Sequence, residues 1–271
     1  VEARSYLFVP GNRPERFAKA LASGADAVVL DLEDAVAPGA QRAARDAIAQ
    51  WWAMAGEAER SRIVVRIGDA DSAGFADDLR LVREAGVRAV MLPKAEAAEA
   101  VRAVRSAAPG AAVLPLIETA RGLAGCGPVA AAAGVVRLVF GSLDFALDLD
   151  LDIEADNEPL ADAGARIVLA SRLAGRPAPV AGVTPQIDDE ARLIADLHWA
   201  RRRGFGAKLC IHPKQVASLH GALAPDAQAI AWAGRVVAAE AASPGAARLD
   251  GRMVDRPVVL QAQRTLRRAG L

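Results

Sequence analysis

Two carboxylates, Glu118 and Asp144, follow closely on short apolar runs, Val113–Ile117 and Leu138–Phe140. If those runs are neighbouring strands of one sheet, the acids converge on one point without a third acid in the same turn. That pattern suits a hard divalent cation, because Mg2+ takes one or two protein carboxylates, keeps several waters and completes its shell with substrate oxygens. Zinc is disfavoured, since no Cys or His cluster lies nearby in sequence. A single acid in such a place caps a helix or pairs with arginine about as readily. Two on consecutive strands beside Arg66 favour the metal.

Arg66 closes the run Ile63-Val64-Val65, where a guanidinium buried without a partner would be costly. Its partner is Asp31 or Glu33 on the neighbouring strand, or a substrate carboxylate or thioester oxygen held in the fork geometry arginine favours, or both at once. Asp31 and Glu33 share one side of their strand. They either support the metal and Arg66 from behind or form a salt-bridged rim. Lys94 is one of four lysines and follows Met91-Leu92-Pro93. An amine in an apolar barrel can form a Schiff base. An ion pair with Glu118 or Asp144 is favoured instead, because those acids would keep it protonated. His212 reads as a packed, hydrogen-bonded rim residue, and His198 and His220 fall in helical context without a role. The run Asp148–Asp152 lacks the glycine and distal glutamate of a calcium loop and reads as solvated loop.

These residues need a scaffold that brings them to one end. Eight β-rich apolar runs occur in order: Ser5–Val9, Ala27–Leu32, Ile63–Ile67, Ala89–Leu92, Val113–Ile117, Leu138–Phe140, Val180–Val183 and Ala207–Ile211. Amphipathic segments such as Pro14–Ala22, Asp77–Ala85, Ala95–Ala107 and Asp189–Arg203 separate them. Pro14 and the Asp188-Asp189-Glu190 cluster are helix openers. Alternation of this kind predicts an α/β TIM (β/α)8 barrel over residues 1–222. After Ile211 the pattern turns helical only, with Ala227–Ala242, a turn at Ser243-Pro244-Gly245 and a last helix from about Pro257, so residues 223–271 read as a C-terminal helical extension or lid. Chemistry on a barrel collects at the C-terminal strand ends. Here nearly every one carries polar groups: Pro10-Gly11-Asn12, Asp31 to Asp34, Arg66, Lys94, Glu118-Thr119, Gly141 to Asp144, Thr184-Pro185-Gln186 and His212-Pro213.

Composition narrows the classes. With 33 basic and 33 acidic side chains there is no overall pull toward nucleic acid or anionic lipid, so an anionic ligand must be met locally. Cys126 and Cys210 form neither a CxxC unit nor a bridge framework, which fits a reducing compartment. The charged N-terminus and the absence of an apolar run of about 18 residues predict a cytoplasmic protein without a membrane span. No phosphate loop, nucleophile elbow or dinucleotide fingerprint is present, which disfavours ATP and NAD chemistry.

Seven ordered motifs carry a family resemblance. They are Leu7-Phe8-Val9-Pro10-Gly11-Asn12-Arg13-Pro14-Glu15-Arg16, Asp31-Leu32-Glu33-Asp34-Ala35-Val36, Val64-Val65-Arg66-Ile67, Leu92-Pro93-Lys94, Ile117-Glu118-Thr119-Ala120-Arg121-Gly122, Phe140-Gly141-Ser142-Leu143-Asp144-Phe145 and Gly206 to Pro213. Over nearly the whole chain they resemble the citrate lyase beta-subunit-like acyl-CoA lyases of the HpcH/HpaI aldolase superfamily.

The resemblance implies a Mg2+-dependent barrel, usually a homotrimer or hexamer, that cleaves a 3-hydroxyacyl-CoA of the citramalyl, malyl or citryl type to acetyl-CoA and a 2-oxo acid. By the same resemblance Glu118 and Asp144 match the metal ligands, Arg66 the substrate-contacting arginine, and Phe8 and Lys19 the positions that hold the acyl-CoA. Asp255, in Met253-Val254-Asp255-Arg256-Pro257, matches a proton-transfer aspartate on a lid that covers a neighbouring subunit's site. It also reads as an ordinary helix N-cap. Three positions depart from the pattern: Phe8 where relatives often have Tyr, Gly68 where they have Asn, and Gln186 where they have Asp. Alternatives are a metal-dependent aldolase acting on a free 2-oxo acid, a Schiff-base lyase through Lys94, and a non-catalytic subunit dependent on a complex.

Overall fold

The computed structural model describes residues 3–37, 39–243, 245 and 248–271. Eight parallel strands close into a barrel: β1 (Ser5–Pro10), β2 (Ala27–Asp31), β3 (Ile63–Arg66), β4 (Ala89–Leu92), β5 (Ala112–Ile117), β6 (Val139–Phe140), β7 (Val180–Ala181) and β8 (Ala207–Cys210). β1 pairs with β8 to complete the ring. This is the expected TIM barrel, with each strand within two residues of its predicted limits.

Alternation along the strands divides the core. Tyr6, Val29, Val64, Met91, Leu116, Val139 and Leu209 point inward and fill the barrel as one cluster. Their neighbours Leu7, Leu30, Val65 and Val90 are fully buried outside it, beneath the helices. Burial on both faces makes these strands continuous apolar runs rather than alternating ones. The helices are α1 (Phe17–Ala22), α2 (Gln41–Met54), α3 (Glu57–Arg60), α4 (Phe75–Ala85), α5 (Ala98–Ala107), α6 (Ala120–Ala131), α7 (Ser142–Asp148), α8 (Ala161–Leu173), α9 (Glu190–Arg202) and α10 (Lys214–Leu223). Pro14 opens a 3-10 turn, Pro14–Arg16, ahead of α1 rather than the α-helix itself.

Caps fix where the chain turns after the strands. Thr119 immediately follows Glu118, and its hydroxyl accepts the Gly122 N–H at 2.9 Å to open α6. Asp189 caps α9 through the Arg192 N–H, whereas Asp188 pairs with Lys214 at 2.7 Å instead of serving the helix.

The chain divides into two compact units, Val1–Leu219 and His220–Leu271. In the second, α11 (Ala227–Ala242) and α12 (Arg256–Arg268) enclose a small core of Ala233, Val236, Val254 and Ala262. Between them lies an antiparallel hairpin, β9 (Arg248–Leu249) and β10 (Arg252–Met253), which corrects the reading of this region as helical only. Asp250 and Gly251 both have positive φ, 50° and 76°, the conformation a two-residue hairpin turn needs. Pro244 of the predicted Ser243-Pro244-Gly245 turn lies outside the described residues. Among the described residues no helix is long and apolar enough to cross a membrane.

Candidate active site

Register sets the site. Asp31 sits directly opposite Arg66 on the adjacent strand. Ile117 is opposite Phe140, so Glu118 and Gly141 leave β5 and β6 at the same level. Phe8, Asp31, Asp34, Arg66, Glu118 and Asp144 line one cavity of about 310 Å3 at this end of the barrel, walled otherwise by apolar side chains such as Leu116, Val183 and Leu209.

Arg66 is only 6% exposed and pairs with both expected protein acids, Asp31 and Glu33. Its Nε and Nη2 donate to the two Asp31 oxygens at 2.6 Å each, and Nη1 donates to Asp34 at 3.0 Å. Glu33 Oε2 stands 2.8 Å from Nη1. A guanidinium has five N–H groups, so three hydrogen bonds leave donors in hand for a ligand. The Phe8 ring lies under the guanidinium, 4.8 Å from its centroid. Burial opposes the Arg66 charge, but Asp31, Glu33 and Asp34 outweigh it and hold the pKa above its ordinary value. Asp31 is itself pinned, accepting the Glu33 and Ala35 amides at 3.0 and 2.9 Å.

Glu118 is 2% exposed. Burial, reinforced by Glu33 and Asp144, pushes its pKa up to about 8 against the Lys94 amide, which donates to Oε1 at 2.8 Å. Asp144 sits in the first turn of α7, its pKa raised by burial and by Asp34. Glu33 is pushed up to about 7, chiefly by burial, and its buried Oε2 accepts no hydrogen bond. Carboxylates that raise one another's pKa make a site that a further cation would relieve. Among the described residues no group of three or more His, Cys, Asp or Glu side chains is arranged to hold a metal. Two acids with open positions fit Mg2+, not zinc.

Lys94 departs from expectation. Its amine pairs with Glu33 at 3.5 Å and Asp69 at 3.6 Å, not with Glu118 or Asp144. The reason is backbone conformation: φ at Lys94 is 43°, which turns the amide rather than the side chain toward Glu118. Burial lowers the amine's pKa, but Glu33, Asp69 and Glu118 more than offset it, so it is held protonated and poorly suited to a Schiff base. Lys19 lies exposed on α1, away from these contacts. Asp255 is in the second unit, where its carboxylate accepts the Val258 N–H at 3.2 Å and caps α12. His212 is half-buried on the rim, its Nδ1 accepting the Lys214 amide.

The departures take definite forms. A Cβ at Gly68 would stand 2.6 Å from Ser72 Oγ, so a side chain enters there only if Ser72 moves. Gln186 is exposed. Residues that sequence reasoning passed over also contribute: Asp34 on Arg66, Asp69 on Lys94, and Gly141, where a Cβ would meet Glu118 Oε2 at 2.5 Å. Asp34 and Gly141 stand in the strand-end motifs, but nothing in the sequence marks Asp69 or the Lys94 backbone.

Comparison with known proteins identifies the family. The family model for HpcH/HpaI aldolase/citrate lyase matches residues 4–213. A citrate lyase subunit beta-like protein of Mycobacterium tuberculosis is 38% identical over 274 residues, spanning 98% of this chain and 95% of its own. A (3S)-malyl-CoA thioesterase of Cereibacter sphaeroides is 31% identical over 270 residues, spanning 98% and 94%. The crystal structure of CitE from Mycobacterium tuberculosis in complex with magnesium, acetoacetate and coenzyme A superposes with a TM-score of 0.89 at 37% identity, covering 99% of this chain and 98% of that one. Barrel, strand-end motifs and relatives converge, and the chain belongs to the HpcH/HpaI aldolase/citrate lyase family.

Proposed function

We propose that this protein is a Mg2+-dependent carbon–carbon lyase that cleaves a 3-hydroxyacyl-CoA to acetyl-CoA and a 2-oxo acid. The observation that carries this reading is the single cavity in which Glu118 and Asp144 meet Arg66. The relative with magnesium, acetoacetate and coenzyme A supports it.

Glu118 and Asp144 would hold Mg2+, which when bound supplies Lewis acidity toward the carboxylate and 3-hydroxyl oxygens of the acid portion. Arg66, fixed by its fork onto Asp31, offers its remaining N–H groups to the charge that develops on the acetyl-CoA enolate. Its position costs nothing to organise at the moment of reaction. Phe8 packs under that guanidinium and shapes the mouth of the cavity. Lys19 contacts the CoA portion. Asp255, from a neighbouring copy in a homotrimer or hexamer, moves one proton between the 3-hydroxyl and the enolate carbon, delivering it to the carbon on cleavage and removing it from there on condensation. Glu33 and Lys94 brace this arrangement through their ion pair. The protein acts in the cytoplasm.

Purified protein is assayed with malyl-, citramalyl- and citryl-CoA, each with Mg2+ and with chelator, detecting the 2-oxo acid released. Metal-dependent cleavage of one thioester is expected, and no 2-oxo acid from any of them overturns the proposal. The thioesterase relative makes hydrolysis the second reading. Free CoA accompanied by the intact hydroxy acid distinguishes it.

A further inference from the structure

Among the described residues three that are not glycine adopt positive φ: Lys94, Asp150 and Asp250. Aspartate tolerates the left-handed region because its short side chain bonds locally, whereas lysine has no such compensation. At Lys94 the structure holds the strain in place from three sides. Its own amide donates to Glu118 Oε1 at 2.8 Å, and the next amide, of Ala95, donates to the Leu116 carbonyl at 3.1 Å. Two successive N–H groups are thus sewn to the end of β5. The side chain leaves in another direction, to Glu33 and Asp69. Across the carboxylate, Gly141 presents bare backbone where a Cβ would lie 2.5 Å from Glu118 Oε2.

We propose that Lys94 is a positioning residue for Glu118 that acts through its main chain: the left-handed turn aims its N–H at Oε1, fixes the carboxylate's rotation and leaves Oε2 to meet a divalent cation. The ammonium serves only to pin the turn against Glu33 and Asp69. This rests on the reading of Glu118 as a metal ligand. Backbone strain of this kind persists where the surroundings over-determine it, and a carboxylate held in one rotamer binds a cation without first being ordered.

Two substitutions separate the amide from the amine. Lys94→Gly deletes the ammonium but adopts positive φ freely. Lys94→Val keeps an N–H but resists that conformation. With Mn2+ as probe, read by electron paramagnetic resonance, Lys94→Val is expected to bind about 10-fold more weakly than wild type or worse, and Lys94→Gly clearly more tightly than Lys94→Val. Lys94→Asn should rescue, because asparagine tolerates the left-handed region. Equal weakening in the glycine and valine variants would assign the effect to the ammonium and overturn the proposal, as would wild-type binding by Lys94→Val.

A second measurement needs no metal. The chain has four lysines, so selective 15N-lysine labelling gives four main-chain amide signals. The Lys94 proton should move upfield in Glu118→Ala while the Lys19 and Lys214 signals stay. A Lys94 signal that does not move refutes the positioning bond itself. Unchanged Mn2+ binding by Glu118→Gln would instead remove the metal reading and leave the positioning bond to this spectrum.

Discussion

Asp31→Asn tests whether the Arg66 fork is the keystone of the strand-end ring. Asp31 is fully buried, and its oxygens accept two guanidinium bonds of 2.6 Å and two main-chain amides. Asparagine keeps one acceptor but turns an NH2 toward a guanidinium N–H and an amide N–H, so donors face donors. Breaking a buried ion pair by removing one partner costs about 3–5 kcal/mol. Arg66 retains Glu33 at 2.8 Å and Asp34 at 3.0 Å, which places the expected loss near the lower end, about 3 kcal/mol. Domains are stable by about 5–15 kcal/mol, so urea unfolding will resolve such a loss at unchanged slope. Turnover should fall as well, since the guanidinium is no longer held in one place. The double variant Asp31→Asn with Arg66→Met should be more stable than the two single losses predict, because neither charge is left stranded. A loss below about 1 kcal/mol for Asp31→Asn, or strict additivity in the cycle, would refute the reasoning.

Gly141→Ala places a Cβ 2.5 Å from Glu118 and should weaken Mn2+ binding about 10-fold with a stability loss of about 1–3 kcal/mol, read by titration and by denaturation. Glu118→Gln and Asp144→Asn should each abolish chelator-sensitive turnover while circular dichroism stays that of the folded protein. Asp255→Asn should lose turnover but keep Mn2+ binding and melting temperature, because asparagine caps α12 as well as aspartate does; Asp255→Ala should add a loss of about 1 kcal/mol from the cap. Lys208 is buried with its amine donating to the Gly182 carbonyl at 2.7 Å, and burial lowers its pKa from 10.5 to about 8. The unfolded chain therefore binds more protons between those values, so stability should rise with pH across that window and be lost as pH falls through 8. The full effect is about 3 kcal/mol. Lys208→Met should flatten that slope and stabilise the protein at pH 7 by about 2 kcal/mol after the lost hydrogen bond, measured by unfolding at several pH values.

The barrel was legible because strands buried on both faces advertise themselves as apolar runs, as in Val28-Val29-Leu30. Their limits were less so. Ile67, Leu138 and Val183 are apolar but lie beyond the strand ends, although the Ile67 amide still donates to the Met91 carbonyl and the Leu138 carbonyl still accepts from the Val180 amide. The β9–β10 hairpin was missed although Asp250-Gly251 is a strong turn signal, because its strands are two residues long and carry arginines instead of an alternating pattern. Pro128 inside α6 also runs against the rule that proline ends a helix.

The site was legible for a topological reason: a parallel barrel delivers all strand ends to one rim, so polar residues at those ends must meet. What the order of residues could not give was direction. Residue order favours pairing Lys94 with Glu118 or Asp144, whereas with a positive φ its amine goes to Glu33 and Asp69 while its amide takes Glu118. Charge counting at the rim then completes the argument. Among the described residues, Asp31, Glu33, Asp34, Glu118 and Asp144 face Arg66 and Lys94 as neighbouring cations, in a chain whose formal net charge is zero. A structural rim would balance its own charges, as Arg45 and Arg80 do with Asp77 and Asp78. Here the surplus is concentrated on Glu118 and Glu33, the two acids whose pKa burial raises furthest toward neutrality, and one divalent cation placed between Glu118 and Asp144 would remove most of it.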